Sequence, residues 1–266
     1  MTSIVRWNAL SGLLVCLVVL FAGRVVLADP PAAPKVSKFA PADDLVKQLD
    51  EYVEDLEEVV ASKEKFTDSE GKLAKDSNAL IVIALALGLH DVDNKYKASA
   101  GAVMEAAGQV AAAKDYASAK KAVAAVKAAV EAKGGGNAKL EWKKVASLEQ
   151  LMKKVPLIHT RLKRYVKPRR FKRKAEDTAG YAAVLAVIAQ GTLADTHEAK
   201  NPSQVKDWYT FSAGMRDAAA AVNAAIRAAD QKATDKAMDN LAQTCDDCHA
   251  VFHEEGEKVT AGGGGN

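Results

Sequence analysis

Residues 133–139 read KGGGNAK, and the number of folding units turns on how that stretch is read. A run of glycines offers no side chain to pack and leaves the backbone free, so it reads as a flexible break. On both sides the chain is alanine-rich, and its apolar residues recur at helical spacing with almost no strand-like alternation. The spacing predicts helices near 42–62, 72–90, 95–113 and 115–133 before the break. After it, helices are predicted near 139–166, 174–195, 203–229 and 231–256. Asp115, Thr178 and Ser203 stand where N-caps are expected, and Pro168 and Pro202 mark breaks. The expected fold is all-α: two tandem antiparallel four-helix bundles, at 35–133 and 139–257, with a disordered tail at 258–266 ending in AGGGGN.

The two parts also look like copies of one another. KYKASAGAVMEAAGQVAAA (95–113) lies over DWYTFSAGMRDAAAAVNAA (207–225), pairing Ser99-Ala100-Gly101 with Ser212-Ala213-Gly214. DYASAKKAVAAVKAAVEAK (115–133) then lies over DQKATDKAMDNLAQTCDDC (230–248). In that register Val130 and Lys133 occupy the places of Cys245 and Cys248. Charge separates the parts: residues 29–134 carry net −4 and residues 135–266 net +5. Two units with different surfaces fit this better than a nucleic-acid binder with one basic face.

The N-terminus sets the compartment. Arg6 precedes the apolar run LSGLLVCLVVLFAG, and small residues Val26 and Ala28 stand before Asp29-Pro30. That pattern predicts a signal peptide over 1–28, cleaved after Ala28, and a periplasmic or otherwise exported protein. The run is shorter than the ~20 residues of a membrane span, and an uncleaved anchor flanked by Arg24 is the competing reading. Removal of Cys16 with the signal leaves Cys245 and Cys248 as the cysteines of the mature chain.

Those two lie in LAQTCDDCHAVFHEE (241–255). On a helix, positions i, i+3 and i+4 share a face, so Cys245, Cys248 and His249 point the same way. Two thioether bonds to the haem vinyl groups need that spacing, and the next imidazole can then reach the iron. C-x-x-C-H is the attachment pattern of haem c for this reason. Zinc, a redox couple and a plain disulfide are the competing readings. Four zinc ligands on one helix face, His253 included, cannot wrap a tetrahedron without unwinding the helix. A thioredoxin-like couple opens a helix in a strand–helix fold, and no strand pattern is present. A disulfide here would close a loop too small to matter.

A four-helix bundle with C-x-x-C-H on its last helix, near the C-terminus, resembles the class II c-type cytochromes, the cytochrome c′ family. The resemblance covers residues 139–257, and residues 42–133 only as a haemless copy. It implies one haem c per chain inside the second bundle, with His249 as the proximal iron ligand. An aromatic and then a basic residue follow the motif in that family. Phe252 matches the aromatic, and His253 stands where the family has Arg or Lys. LEQLMKKVPLIHTRLKRY (148–165) is similar to the family's first helix, and Met152 falls at the place of the sixth ligand in low-spin members. His159, two turns on, competes with it, with Pro156 between them; Met215 is a more distant candidate. His90 and His197 read as solvated. Trp142 reads as core, while Trp208, Tyr209 and Phe211 suit either a core or the wall of a porphyrin site.

The resemblance implies an electron carrier rather than an enzyme, and no hydrolase or transferase constellation is present. The alternatives are a five-coordinate haem protein that binds a diatomic gas, and a structural or docking module. RLKRYVKPRRFKRK (161–174) holds nine basic residues and no acid. It fits either a solvated helix end or a docking site for an acidic redox partner, Arg161 to Lys174. A homodimer is a further expected assembly; nucleic acid and a membrane span in the mature chain are not expected.

Overall fold

The computed structural model describes residues 29–69, 71–132, 134 and 139–252. Its regular elements are all helical, with no strand among the described residues. A 3-10 turn at Val36–Lys38 precedes α1 (Ala42–Val59), the short α2 (Lys63–Asp68), α3 (Lys72–Leu89), α4 (Ala100–Ala112) and α5 (Tyr116–Glu131). After the glycine stretch come α6 (Leu148–Tyr165), α7 (Pro168–Thr192), α8 (Pro202–Arg227) and α9 (Gln231–Phe252). Residues 1–28, where a signal peptide is expected, His253 and residues 258–266 lie outside the described residues.

The helix character varies in a way that fixes the arrangement. α1 buries Leu45, Leu49, Tyr52, Val53 and Leu56, one stripe at helical spacing. α3 instead buries every residue from Asp76 to Leu87, and α7 every one from Thr178 to Gln190 except Tyr181. A helix that is apolar all round must sit inside, and both do. α3 packs on α1, α4, α6 and α7, while α7 packs on α6, α8, α1 and α3. Gly191 permits the approach, since a Cβ there would stand 3.1 Å from Val82 Cγ1 of α3.

One hydrophobic core therefore runs through both halves of the chain. Polar bonds cross with it. Asp44 of α1 accepts from Arg227 Nη2 (2.6 Å) and Nε (2.9 Å) and from Asn223 Nδ2 (2.6 Å) of α8. Lys47 donates to Asp177 of α7 at 2.6 Å. Asn78 of α3 accepts from the Ser147 amide at 2.7 Å, and buried Asp76 pairs with buried Lys154 of α6.

Several local expectations differ from what is observed. Residues 95–99 are not helical, because the Asn94 side chain donates to Leu87 O (2.9 Å) and accepts from the Tyr96 amide (3.1 Å), which holds a turn there. Residues 139–147 are likewise irregular: Trp142 packs on Phe39, and Ser147 caps α6. α7 starts at Pro168, whose fixed φ and missing amide suit a first helical position. Thr178 lies inside α7 and bonds back to Lys174 O instead of capping. Asn201, not Ser203, caps α8, accepting from Gln204 N at 3.0 Å. Asp115 does cap α5, in a reciprocal box with Ser118. His90 is buried, 1 % exposed, with Nε2 3.0 Å from Ala40 O and Nδ1 accepting from the Val92 amide. Its reading as solvated is corrected: the turn after α3 folds over it.

Candidate functional site

α9 inserts one face into the core through Thr234, Ala237, Met238 and Leu241. Continuing that stripe by steps of three and four reaches Cys245, Cys248 and Phe252, all half-buried. The two thiols are thus carried inward by the same periodicity that packs the helix, while His249 is exposed on its flank. Phe252 is held by two edge-on aromatic contacts, with Trp208 at 5.0 Å and Phe211 at 6.2 Å between ring centroids. Trp208 is fixed in turn, because its Nε1 donates to Thr192 O at 2.9 Å.

Cys245, Cys248 and His249 open on a cavity of about 150 Å³. Its opposite wall is α6, through Met152, Val155, Pro156 and His159. Those positions are spaced i, i+3, i+4 and i+7, a single helical face. α8 closes the third side with Trp208, Phe211 and Met215. The sequence-derived candidates Met152, His249, Cys245 and Cys248 are therefore brought together at one cavity. Phe252 stands beside it against Trp208 and Phe211, and His253 lies outside the described residues. Sequence reasoning missed Thr192, Ser212 and Thr244, which also line it. No spacing distinguishes a cavity hydroxyl from one that bonds its own helix, as Thr244 does to Leu241 O.

The cavity lies where two helices fail to close. α6 packs on α7 and α9 on α8, but α6 and α9 make at most marginal contact with each other. In the N-terminal half the corresponding first and last helices, α1 and α5, do pack together.

The chemistry of the lining is specific. Burial pushes the Cys248 thiol up to about 11, with Cys245 adding to the shift. Burial also raises Cys245, followed by the charge of Asp246. Thiols that exchange disulfides readily have lowered pKa values, so these two do not suit a redox couple. Both are free. No group of three or more His, Cys, Asp or Glu side chains suited to a metal ion occurs among the described residues, so the zinc reading gains no ligand set. Burial depresses the His159 imidazole, Lys163 adds to this, and Asp246 of α9 opposes it. His159 Nε2 is fully buried and has no hydrogen-bond partner. An orphaned buried nitrogen costs about 1–3 kcal/mol.

These residues fit a covalently held haem in kind: two inward thiols one helical turn apart, a neighbouring imidazole, and walls of Met, Val, Pro, Trp and Phe. In size the cavity is below the ~300 Å³ of ordinary ligand sites. Occupation would need α6 and α9 to part further, and little packing holds that pair together. The remaining candidates fall elsewhere. Trp142 is half-buried in the core against Phe39, and His197 is exposed, bonded to Asp195 at 2.7 Å. The basic run forms an exposed corner at the α6–α7 turn, built by Arg164, Lys167, Arg169 and Arg170.

No protein-family model matches the chain, nor does any curated protein or solved structure compared with it.

Proposed function

We propose that the chain is an exported c-type haem protein of the class II kind, carrying one haem through Cys245 and Cys248 and moving electrons. The carrying observation is the convergence of the two cysteines and His249 of C-x-x-C-H on an apolar cavity between α6 and α9. On this reading α1, α3, α4 and α5 form one antiparallel four-helix bundle, and α6 to α9 form a second. The first bundle is a haemless copy whose outer helices close together. The second is the same plan held open at the corresponding seam.

Cys245 and Cys248 would anchor the group covalently, and His249 would ligate its iron. When bound, such a group supplies one-electron chemistry at that iron. The chain's part would be to exclude water with Val155, Trp208 and Phe211 and to offer the side chains that hold the group. The exposed corner from Arg161 to Lys174 supports docking of an acidic redox partner by charge complementarity.

The test is intact mass of the full chain, made in cells that export it and attach haem c, after acid–acetone extraction. The mass should exceed that of the processed polypeptide by one haem. Recovery of all colour in the organic phase, or no colour at all, would refute the proposal. Replacing both Cys245 and Cys248 by Ala should abolish the added mass.

A further inference from the structure

We infer that His159, through Nε2, is the second protein ligand to the iron, which makes the site a bis-histidine, low-spin centre. The inference rests on the haem reading above and names the donor opposite His249.

Three observations carry it. First, His159 Nε2 is the one buried side-chain nitrogen among the described residues that has no hydrogen-bond partner. Gln48 Oε1 and Asp76 Oδ2 are bare as well, but neither lines this cavity, whereas His159 does, so its nitrogen is the one placed to take a ligand there. With the proton on Nδ1, Nε2 presents its lone pair, which is what an imidazole offers to iron. Second, His159 lines the same cavity as Cys245, Cys248 and His249, from the opposite wall. Third, Met152 and His159 are mutually exclusive partners for one iron. Seven residues of helix separate them by about 10.5 Å along the axis, so a single axial position cannot use both. Met152 packs against the core as an apolar side chain and is accounted for there. His159 has no such account.

The helix between them fits a donor wall. Pro156 stands within α6 and lines the cavity, and it leaves the Met152 carbonyl without its usual amide partner. A face interrupted in this way packs poorly on a neighbouring helix, which agrees with the open seam toward α9.

The experiment uses the full chain with haem attached in vivo. Intact mass comes first, and absence of the haem increment would sink the proposed function and this assignment with it. With haem present, the protein should be low-spin in both oxidation states. Near-infrared magnetic circular dichroism of the ferric form should show the charge-transfer energy of two imidazoles, not of imidazole with thioether. His159→Leu should keep the covalent mass, turn high-spin and bind carbon monoxide, and added imidazole should restore the low-spin spectrum. Met152→Leu should leave the spectrum unchanged. A thioether signature in the wild type, a high-spin wild type, or a His159→Leu protein that stays low-spin would overturn the assignment while leaving the haem reading in place. If the His159 variant does not fold, the wild-type spectrum still decides, because His159 is the only histidine besides His249 among the described residues that line the cavity.

Discussion

Asp76 and Lys154 offer the sharpest test of how the two halves are joined. Asp76 on α3 is 1 % exposed and Lys154 on α6 is 5 % exposed, and they form an ion pair across the glycine break. Lys154 Nζ also stands 4.7 Å from the ring centroid of Tyr52 on α1. Asp76 Oδ2 has no partner, so the pair is only partly satisfied. Removing one member of a buried pair leaves the other charge uncompensated, at a cost of about 3–5 kcal/mol. Asp76→Ala and Lys154→Ala should each fall in that range. For a chain of this size, ~2–4 °C per kcal/mol translates that into a fall in Tm of roughly 6–20 °C. The double substitution Asp76→Leu with Lys154→Met removes both charges and fills the space. It should be neutral or more stable by about 1–4 kcal/mol, because the desolvation cost disappears with the pair. Urea and thermal unfolding followed by circular dichroism would measure all three variants. Since one core spans both halves, each should shift a single transition as a whole. Two separate transitions, with only one displaced, would show that the halves unfold independently and that the shared core does not couple them. Single variants losing less than about 1 kcal/mol would show that water reaches the pair.

Other consequences can be checked more briefly. Asp91 accepts from the Ser37 amide (2.9 Å) and hydroxyl (2.7 Å), which hold its carboxyl at about 2, below the ordinary 3.8. A depressed folded-state value means its stabilisation is complete above about pH 4 and is lost as pH falls toward 2. The Tm difference between wild type and Asp91→Ala should therefore be full above about pH 4 and shrink as pH falls toward and through 2. A difference that does not shrink between pH 4 and pH 2 would place the effect outside this carboxylate. Pro156→Ala should raise the stability of the haem-free chain by up to about 3 kcal/mol in urea titrations, because it restores a bond inside α6. A fragment of residues 35–133 should show helical circular dichroism without a Soret band. It should unfold at lower urea than the full chain, because Asp76 and Asn78 lose Lys154 and Ser147.

How much of this was legible in the sequence depended on whether the signal was periodic. Helix positions followed from apolar spacing, and Asp115 was visible as a cap because its side chain acts within its own turn. Helix starts at 100 and 148 were not visible, because Asn94 and Ser147 bond to α3, and no local pattern announces a long-range partner. His90 failed for the same reason: its burial depends on Ala40, fifty residues away. The all-round apolar runs of α3 and α7 did carry the information that both are central, but the glycine break drew attention to separation instead. At the site, C-x-x-C-H and the α6 candidates were legible as motifs. The orphaned state of His159 Nε2 was not, since it depends on what α8 and α9 fail to offer it.

The open seam itself narrows what the C-terminal half is for. Alanine-rich helices close easily, as α1 and α5 do in the N-terminal half. Across α6 and α9 the facing residues are instead large or irregular: Met152, Pro156 and His159 on one side, Cys245, Cys248 and His249 on the other. None of these closes a seam as alanine does: Pro156 costs α6 a hydrogen bond, and His159 Nε2 is buried without a partner. A purely structural duplicate would have no use for that cost, and small apolar residues at these places would remove it. A cofactor seated between the helices would repay it, by supplying the apolar contact and the metal that the bare nitrogen lacks. On the proposed reading, the asymmetry between the halves reflects an occupant of the second, seated where α6 and α9 stay apart.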